Sequence, residues 1–269
     1  MANTLKVSVT TDWLNSHLGS EHLAILDART RGSYVRSHIR GAVHADLFHY
    51  FVPGTDRKGL QGFQKDLGRL LGNIGLTGKE TVVVYESGFG MRAARVGWML
   101  EYAGIEKVFL LEGGFQAWRK SHFPTEKKPA KPSHQAFKVR PVSTILASAN
   151  QIRSARSSIV LDVRTEREFT GKEGRECDKR RGHIPRAQWL EWNAFIQDGK
   201  RFKTQSEIAT VLKEKGLSKN RSEVVTYCHR GARAAAAYYA LRSLGFANVR
   251  NYVGSWHEWS ARKNLPVER

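Results

Sequence analysis

Apolar residues along the chain fall into two alternating patterns. Short runs dense in β-branched side chains, such as TVVVY at 81–85 and EVVTY at 223–227, are flanked by turn formers and followed by longer stretches of helix-forming residues. Runs that short and that apolar suit strands buried on both faces, because a strand with one wet face alternates apolar and polar side chains. Their alternation with helical stretches predicts parallel βαβ units. The segment AAAAYYALRSLG at 234–245 is helical by propensity, and Gly245 stands where a left-handed C-terminal cap belongs. The expected fold class is α/β, with parallel sheets covered by helices on both faces.

The same pattern occurs twice. AILDARTRGSYVRSHIRGAV at 24–43 resembles IVLDVRTEREFTGKEGRECDKRRGHIPRAQ at 159–188, and the second copy carries ten extra residues within 171–181. The strand–helix segment at 81–104 matches 223–246, with Tyr85 and Tyr227 142 positions apart. VFLLEGGFQAW at 108–118 matches VRNYVGSWHEW at 249–259, with Trp118 and Trp259 141 apart. A period near 140 residues is too long for a solenoid unit and fits a duplicated domain. The intervening PTEKKPAKPSHQAFKVRP holds four of the seven prolines and reads as a linker. The expected organisation is therefore a first domain over 1–125, a linker over 126–140 and a second domain over 141–269.

Composition adds an asymmetry. The net charge is +19, which raises nucleic acid, an anionic membrane surface or a small anionic substrate as partners. Residues 1–125 hold 15 basic and 11 acidic side chains, a net +4, whereas 126–269 hold 29 and 14, a net +15. The surplus sits in the second half. No window approaches 18 uncharged apolar residues, and the two cysteines cannot build a disulfide framework, so a soluble cytoplasmic protein is expected.

The residues CHRGARA at 228–234 follow a strand and open a helix. Such a loop lies at the carboxyl edge of a parallel sheet, where α/β proteins place their sites. It also presents the positive end of a helix dipole, and Arg230 and Arg233 add charge, so the anionic form of the Cys228 thiol is favoured there. Gly231 supplies the freedom for a tight fold. Cys228 is the candidate nucleophile. Cys177, in the charged insertion GKEGRECDKRRG, reads as an exposed spectator, and His229 as a solvent-facing side chain. Asp162 with Arg164 reads as a structural pair, and Phe115, Trp118, Trp256 and Trp259 as core aromatics.

Together the LDAR and LDVR strands, GHIPRA at 182–187, the CHRGARA loop, and GSWHEW followed by LPVE resemble the tandem-domain rhodanese family, the thiosulfate and 3-mercaptopyruvate sulfurtransferases. The resemblance covers both copies. It implies two rhodanese-like domains and a persulfide mechanism without a metal or organic cofactor; no His/Cys cluster with ligand spacing is visible in the sequence. The implied partners are a small anionic sulfur donor, thiosulfate or mercaptopyruvate, and cyanide or a thiol as acceptor, a thioredoxin-like protein among them. Glu86 stands opposite Cys228, so the first domain is expected to be catalytically silent.

Thiosulfate-type loops carry basic residues after the cysteine, whereas mercaptopyruvate-type loops resemble Cys-Gly-Ser-Gly. Arg230 therefore favours thiosulfate, with Gly231 and Arg233 as further substrate-binding residues. The family arginine expected six residues after the strand aspartate falls on Glu168, so either Arg167 or one of Lys179, Arg180 and Arg181 replaces it or that contact is absent; Arg181 is the candidate carried forward. Two rival classes stand against this reading. Cysteine phosphatases place five residues between cysteine and arginine, but four separate Cys228 from Arg233. A basic nucleic-acid or partner-binding module would show a recognition motif, and no helix-turn-helix, zinc finger or RNP-like pattern is present.

Overall fold

The computed structural model describes residues 6–154, 157–217 and 223–269. Two parallel sheets carry the fold. The first runs in the order Ser8–Val9, Lys107–Leu111, Thr81–Tyr85, Leu23–Asp27 and Val43–His44. The second runs Val249–Asn251, Val224–Tyr227, Ile159–Asp162 and Gln188–Trp189. A parallel bridge from Leu146 to Asn251 stands at the edge that Ser8–Val9 occupies in the first sheet. The expected α/β class with duplicated parallel sheets is what the chain adopts. The central strands are buried as their sequences require: Val82, Val83, Val84 and Tyr85 are fully inaccessible, as are Val224 and Tyr227.

Small buried details repeat as faithfully as the sheets. Arg29 grips Asp27 through Nε and Nη2, and Arg164 grips Asp162 in the same way. Each central-strand tyrosine accepts a backbone N–H, Ile39 to Tyr85 and Ile184 to Tyr227, both at 3.2 Å. Trp118 and Trp259 each donate Nε1–H to a proline carbonyl, Pro124 and Pro266. The Asp162–Arg164 pair is buried among these groups and is structural, and the four aromatics Phe115, Trp118, Trp256 and Trp259 are core residues, both as the sequence suggests.

The two sheets are joined through two largely buried helices. Met91–Tyr102 and Ala232–Ser243 follow the two central strands, and one continuous core cluster draws on both. At their crossing Gly97 meets Tyr239 so closely that a Cβ there would lie 2.7 Å from the tyrosine oxygen. Glu101 closes the contact by accepting from Tyr238 Oη at 2.8 Å and pairing with Arg242 at 2.6 Å. The proline-rich segment lies down on the first half rather than spanning open solvent: Gln135 N–H donates to Gly72 O and Arg140 N–H to Ala103 O, while Phe137 and Val139 pack against the core. Among the described residues no helix is long and apolar enough to cross a membrane.

Candidate active site

Strand Val224–Tyr227 delivers Cys228 to the carboxyl edge of its sheet, and the Ala232–Ser243 helix begins four residues later. The turn between them depends on Gly231, whose φ of +83° lies in the left-handed region; a Cβ there would also press within about 3 Å of Val253. In this conformation the Gly231 N–H donates to Cys228 Sγ at 3.1 Å. Asn251 Nδ2 holds the Gly231 carbonyl from below at 3.2 Å. Ser255 accepts the Cys228 N–H at 3.1 Å and passes a hydrogen bond to Tyr252 O at 2.7 Å. Ser255 has φ +54°, and Gly114 at the matching position of the first half has φ +55°. The two hydrogen bonds of its hydroxyl offset the strain of a non-glycine residue there.

Cys228 opens onto a cavity of about 390 Å³. Its floor is the loop itself, with His229, Arg230, Ala232 and Arg233. The facing wall comes from the other half of the chain: Phe48, His49, Phe51, Met91 and Arg95. Arg175, from the ten-residue insertion, completes the lining. Four guanidinium groups therefore surround one thiol, with aromatic rings behind them. Arg230 lies 4.3 Å above the Phe51 ring, which supports the side chain without neutralising it.

The arginines differ in how free they are. Arg233 forms a two-pronged pair with Glu168, Nη1 to Oε2 at 2.5 Å and Nη2 to Oε1 at 2.9 Å, so its charge is largely compensated. Burial pushes Glu168 up, but the hydrogen bonds and charge of Arg233 outweigh it and hold the carboxyl at about 2. Glu168 thus anchors Arg233 at the position where the family arginine was expected. Arg95 is 4% exposed; it donates to Arg230 O at 2.7 Å and through Nη2 to Tyr50 O at 2.5 Å. Burial pulls its pKa down to about 10, opposed by the charge of Cys228. With two backbone carbonyls as its hydrogen-bond partners, Arg95 brings a buried positive charge from the first half to the loop of the second.

Several sequence expectations are corrected here. Arg181 does not reach the Cys228 cavity; it borders a separate surface hollow with Lys179, Arg180 and Arg269. Arg180 is a structural anchor, because its guanidinium donates to the carbonyls of Trp259, Ser260, Arg262 and Leu265 around the end of the Ser255–Ala261 helix. Arg167 pairs with Glu173 at the surface. Arg175 is the residue of this region that lines the cavity. His229 is not solvent-facing: it is 6% exposed and its Nε2 lies 2.9 Å from Asp178 Oδ1. Cys177 is exposed, yet its Sγ lies 3.8 Å from His229 Nε2 and 3.7 Å from Arg230 Nη2, against the loop rather than away from it. Sequence reasoning missed Arg95, Arg175 and the Phe48–Phe51 wall, because contacts between halves and across an insertion leave no local motif.

The family model of the Rhodanese-like domain matches residues 10–121 and again 146–262. A putative thiosulfate sulfurtransferase of Haloferax volcanii is 32% identical, over 98% of this chain and 96% of the relative. The 3-mercaptopyruvate sulfurtransferase of Escherichia coli is 29% identical, over 97% of each chain. Among solved structures, a probable thiosulfate sulfurtransferase superposes with a TM-score of 0.76 at 31% identity, covering 93% of this chain and 98% of the other.

Proposed function

The chain belongs to the rhodanese family, and we propose that it is a sulfurtransferase that moves sulfane sulfur from thiosulfate to cyanide or a thiol through a persulfide on Cys228. The observation that carries this reading is the Cys228 Sγ beneath a small cavity ringed by Arg95, Arg175, Arg230 and Arg233. The thiolate attacks the outer sulfur of thiosulfate; a sulfur–sulfur bond forms to Cys228 as the bond to the sulfonate sulfur breaks, and sulfite leaves with the electron pair. Cyanide or a thiolate then attacks the outer persulfide sulfur, and the Cys228 thiolate is restored. Splitting the transfer into two displacements predicts ping-pong kinetics.

Each part of the site has a task in that sequence. The Gly231 N–H is placed to stabilise negative charge on the Cys228 sulfur, and the amino end of the Ala232–Ser243 helix adds its dipole. Arg230 and Arg175 suit the sulfonate of the donor through charge-assisted hydrogen bonds. Arg233 and Glu168 hold the loop's shape. Glu86 in place of a nucleophile leaves the first half without catalytic power and gives it the role of a wall, through Phe48, Phe51 and Arg95. The domain boundaries at 125 and 141 remain our reading of the repeat, with residues 126–140 between.

Mercaptopyruvate is the second reading, because a relative of near-equal similarity carries that name. Two measurements separate these readings. Mass spectrometry after thiosulfate treatment is expected to find one added sulfur atom on Cys228; an unmodified Cys228 would overturn the persulfide. Arg230→Ala is expected to raise the KM for thiosulfate about tenfold, the cost of one charged hydrogen bond, with a smaller change for mercaptopyruvate. Equal changes for both donors would overturn the preference for thiosulfate.

A further inference from the structure

The insertion that distinguishes the second half ends beside the catalytic loop, and it brings two side chains to two histidines. Cys177 Sγ, an Asp178 carboxylate oxygen and one ring nitrogen each of His229 and His257 all lie within 4.8 Å of one another. Three separate elements supply them: the insertion gives Cys177 and Asp178, the catalytic loop gives His229, and the Ser255–Ala261 helix gives His257. We propose that these four residues form a binding site for a divalent zinc ion, at the rim of the Cys228 cavity.

The donor set and its spacing carry the proposal. One thiolate, one carboxylate and two imidazoles are the ligand types that zinc takes in four-coordinate sites, and a tetrahedral ion with bonds of about 2.0–2.3 Å places its ligand atoms about 3.3–3.6 Å apart. Here Cys177 Sγ lies 3.8 Å from His229 Nε2, Asp178 Oδ1 lies 2.9 Å from His229 Nε2, and His257 Nδ1 lies 3.7 Å from Asp178 Oδ1. Three of the six separations stand within about 0.4 Å of those values, and no pair exceeds 4.8 Å, so side-chain movements of about 1 Å draw the four atoms into a tetrahedron. His257 Nδ1 is buried and makes no hydrogen bond among the described residues, so it faces the cluster unsatisfied. A buried nitrogen without a hydrogen bond is costly, and a metal would satisfy it.

The surroundings favour such an ion. Arg180 ties the insertion to the end of the Ser255–Ala261 helix through four carbonyls, so Cys177, Asp178 and His257 are held on one framework. The side chains of Asp178 and His229 are both largely buried, whereas Cys177 is open to solvent and gives the ion a way in. Arg230 stands nearby, 3.7 Å from Cys177 Sγ and 3.5 Å from His257 Nε2. A thiolate and a carboxylate together cancel the charge of Zn²⁺, so the filled site would be neutral toward that arginine.

The test is zinc titration of the full chain against a chromophoric chelator, paired with Co²⁺ spectroscopy. The wild-type protein is expected to bind one equivalent and, with cobalt, to show a thiolate-to-metal charge-transfer band. Cys177→Ser and Asp178→Asn are expected to weaken binding at least tenfold, and Cys177→Ser to remove the band. Cys228→Ser is expected to keep both binding and band, which separates this site from metal captured by the catalytic thiol. Circular dichroism of each variant reports folding, and His257→Gln supplies an independent ligand deletion. No stoichiometric binding by the wild type would overturn the proposal, as would binding that survives Cys177→Ser or disappears in Cys228→Ser.

Discussion

The loops at Glu86 and Cys228 occupy the same place in the two halves and do opposite things with it. Both leave a central parallel strand and open a buried helix. Both are pinned from the same side: Phe115 N–H and Gln116 N–H donate to the carbonyls of Glu86 and Ser87, as Trp256 N–H and His257 N–H donate to those of Cys228 and His229. In the first half, however, a carboxylate fills the turn. Glu86 accepts the Arg92 N–H at 3.1 Å, and its Oε1 and the Trp192 ring lie within 4 Å of where a Cβ on Gly90 would stand. In the second half the smaller thiol leaves room, and the first half lines that room with Phe48, Phe51 and Arg95. A duplicated backbone fixes where a site can be, and the side chains that the halves lend each other decide which copy becomes one.

The largest effect that tests this contrast is loss of the thiol. Cys228→Ser is expected to lower kcat by at least about 10³-fold, as removal of a covalent nucleophile does, with the fold intact by circular dichroism. Adding Glu86→Cys to that variant is expected to restore nothing, because the first loop faces Trp192 rather than an arginine-lined cavity. Recovery of thiocyanate formation in the double variant would break the comparison.

Arg95→Ala probes what the first half contributes. Removing a buried cation that holds the Arg230 carbonyl and lines the cavity is expected to cost about 2–3 kcal/mol, read as a loss of roughly 30- to 150-fold in kcat/KM for thiosulfate. A value within twofold of wild type would confine the site to the second half.

Glu86 offers a stability test. Burial raises its carboxyl from 4.5 to about 7, against the opposing Arg92 N–H and charge. Between those values the folded state holds a proton that the unfolded chain has lost, so stability falls as pH rises through the window. Above pH 7 the full cost is in place, about 3 kcal/mol for a shift of this size. Glu86→Gln is thus expected to raise Tm at pH 8 and to change it little at pH 4.5. An equal change at both values would show that the carboxyl is not held in its neutral form.

The smallest effect is expected at Arg181, whose separate hollow keeps it from the donor. Arg181→Ala should alter kcat/KM by less than about twofold, while Arg175→Ala should alter it more, given one charged contact of about 1.5–3 kcal/mol. The reverse order in steady-state kinetics would restore Arg181 to the site.

The sequence by itself determined a great deal that is local or periodic. Buried β-branched runs dictate parallel strands, and the recurrence of Asp27 and Tyr85 as Asp162 and Tyr227 announces a duplicated fold. A cysteine between such a strand and a helix, with Gly231 and two arginines, marks the candidate nucleophile, because the dipole, the turn and the charges are properties of adjacent residues. Tertiary structure decided the rest. The pairing of Arg233 with Glu168, the burial of His229 on Asp178, the reach of Arg175 in preference to Arg181, and the wall of Phe48, Phe51 and Arg95 all join residues dozens to more than a hundred positions apart. The +19 charge is likewise sorted in space: Arg233 is paired, Arg180 caps carbonyls and Arg167 meets a surface glutamate, whereas Arg95, Arg175 and Arg230 line the Cys228 cavity, where among the described residues no carboxylate stands against them. Charge is written in composition, but whether a given cation is free or neutralised depends on what the fold sets beside it.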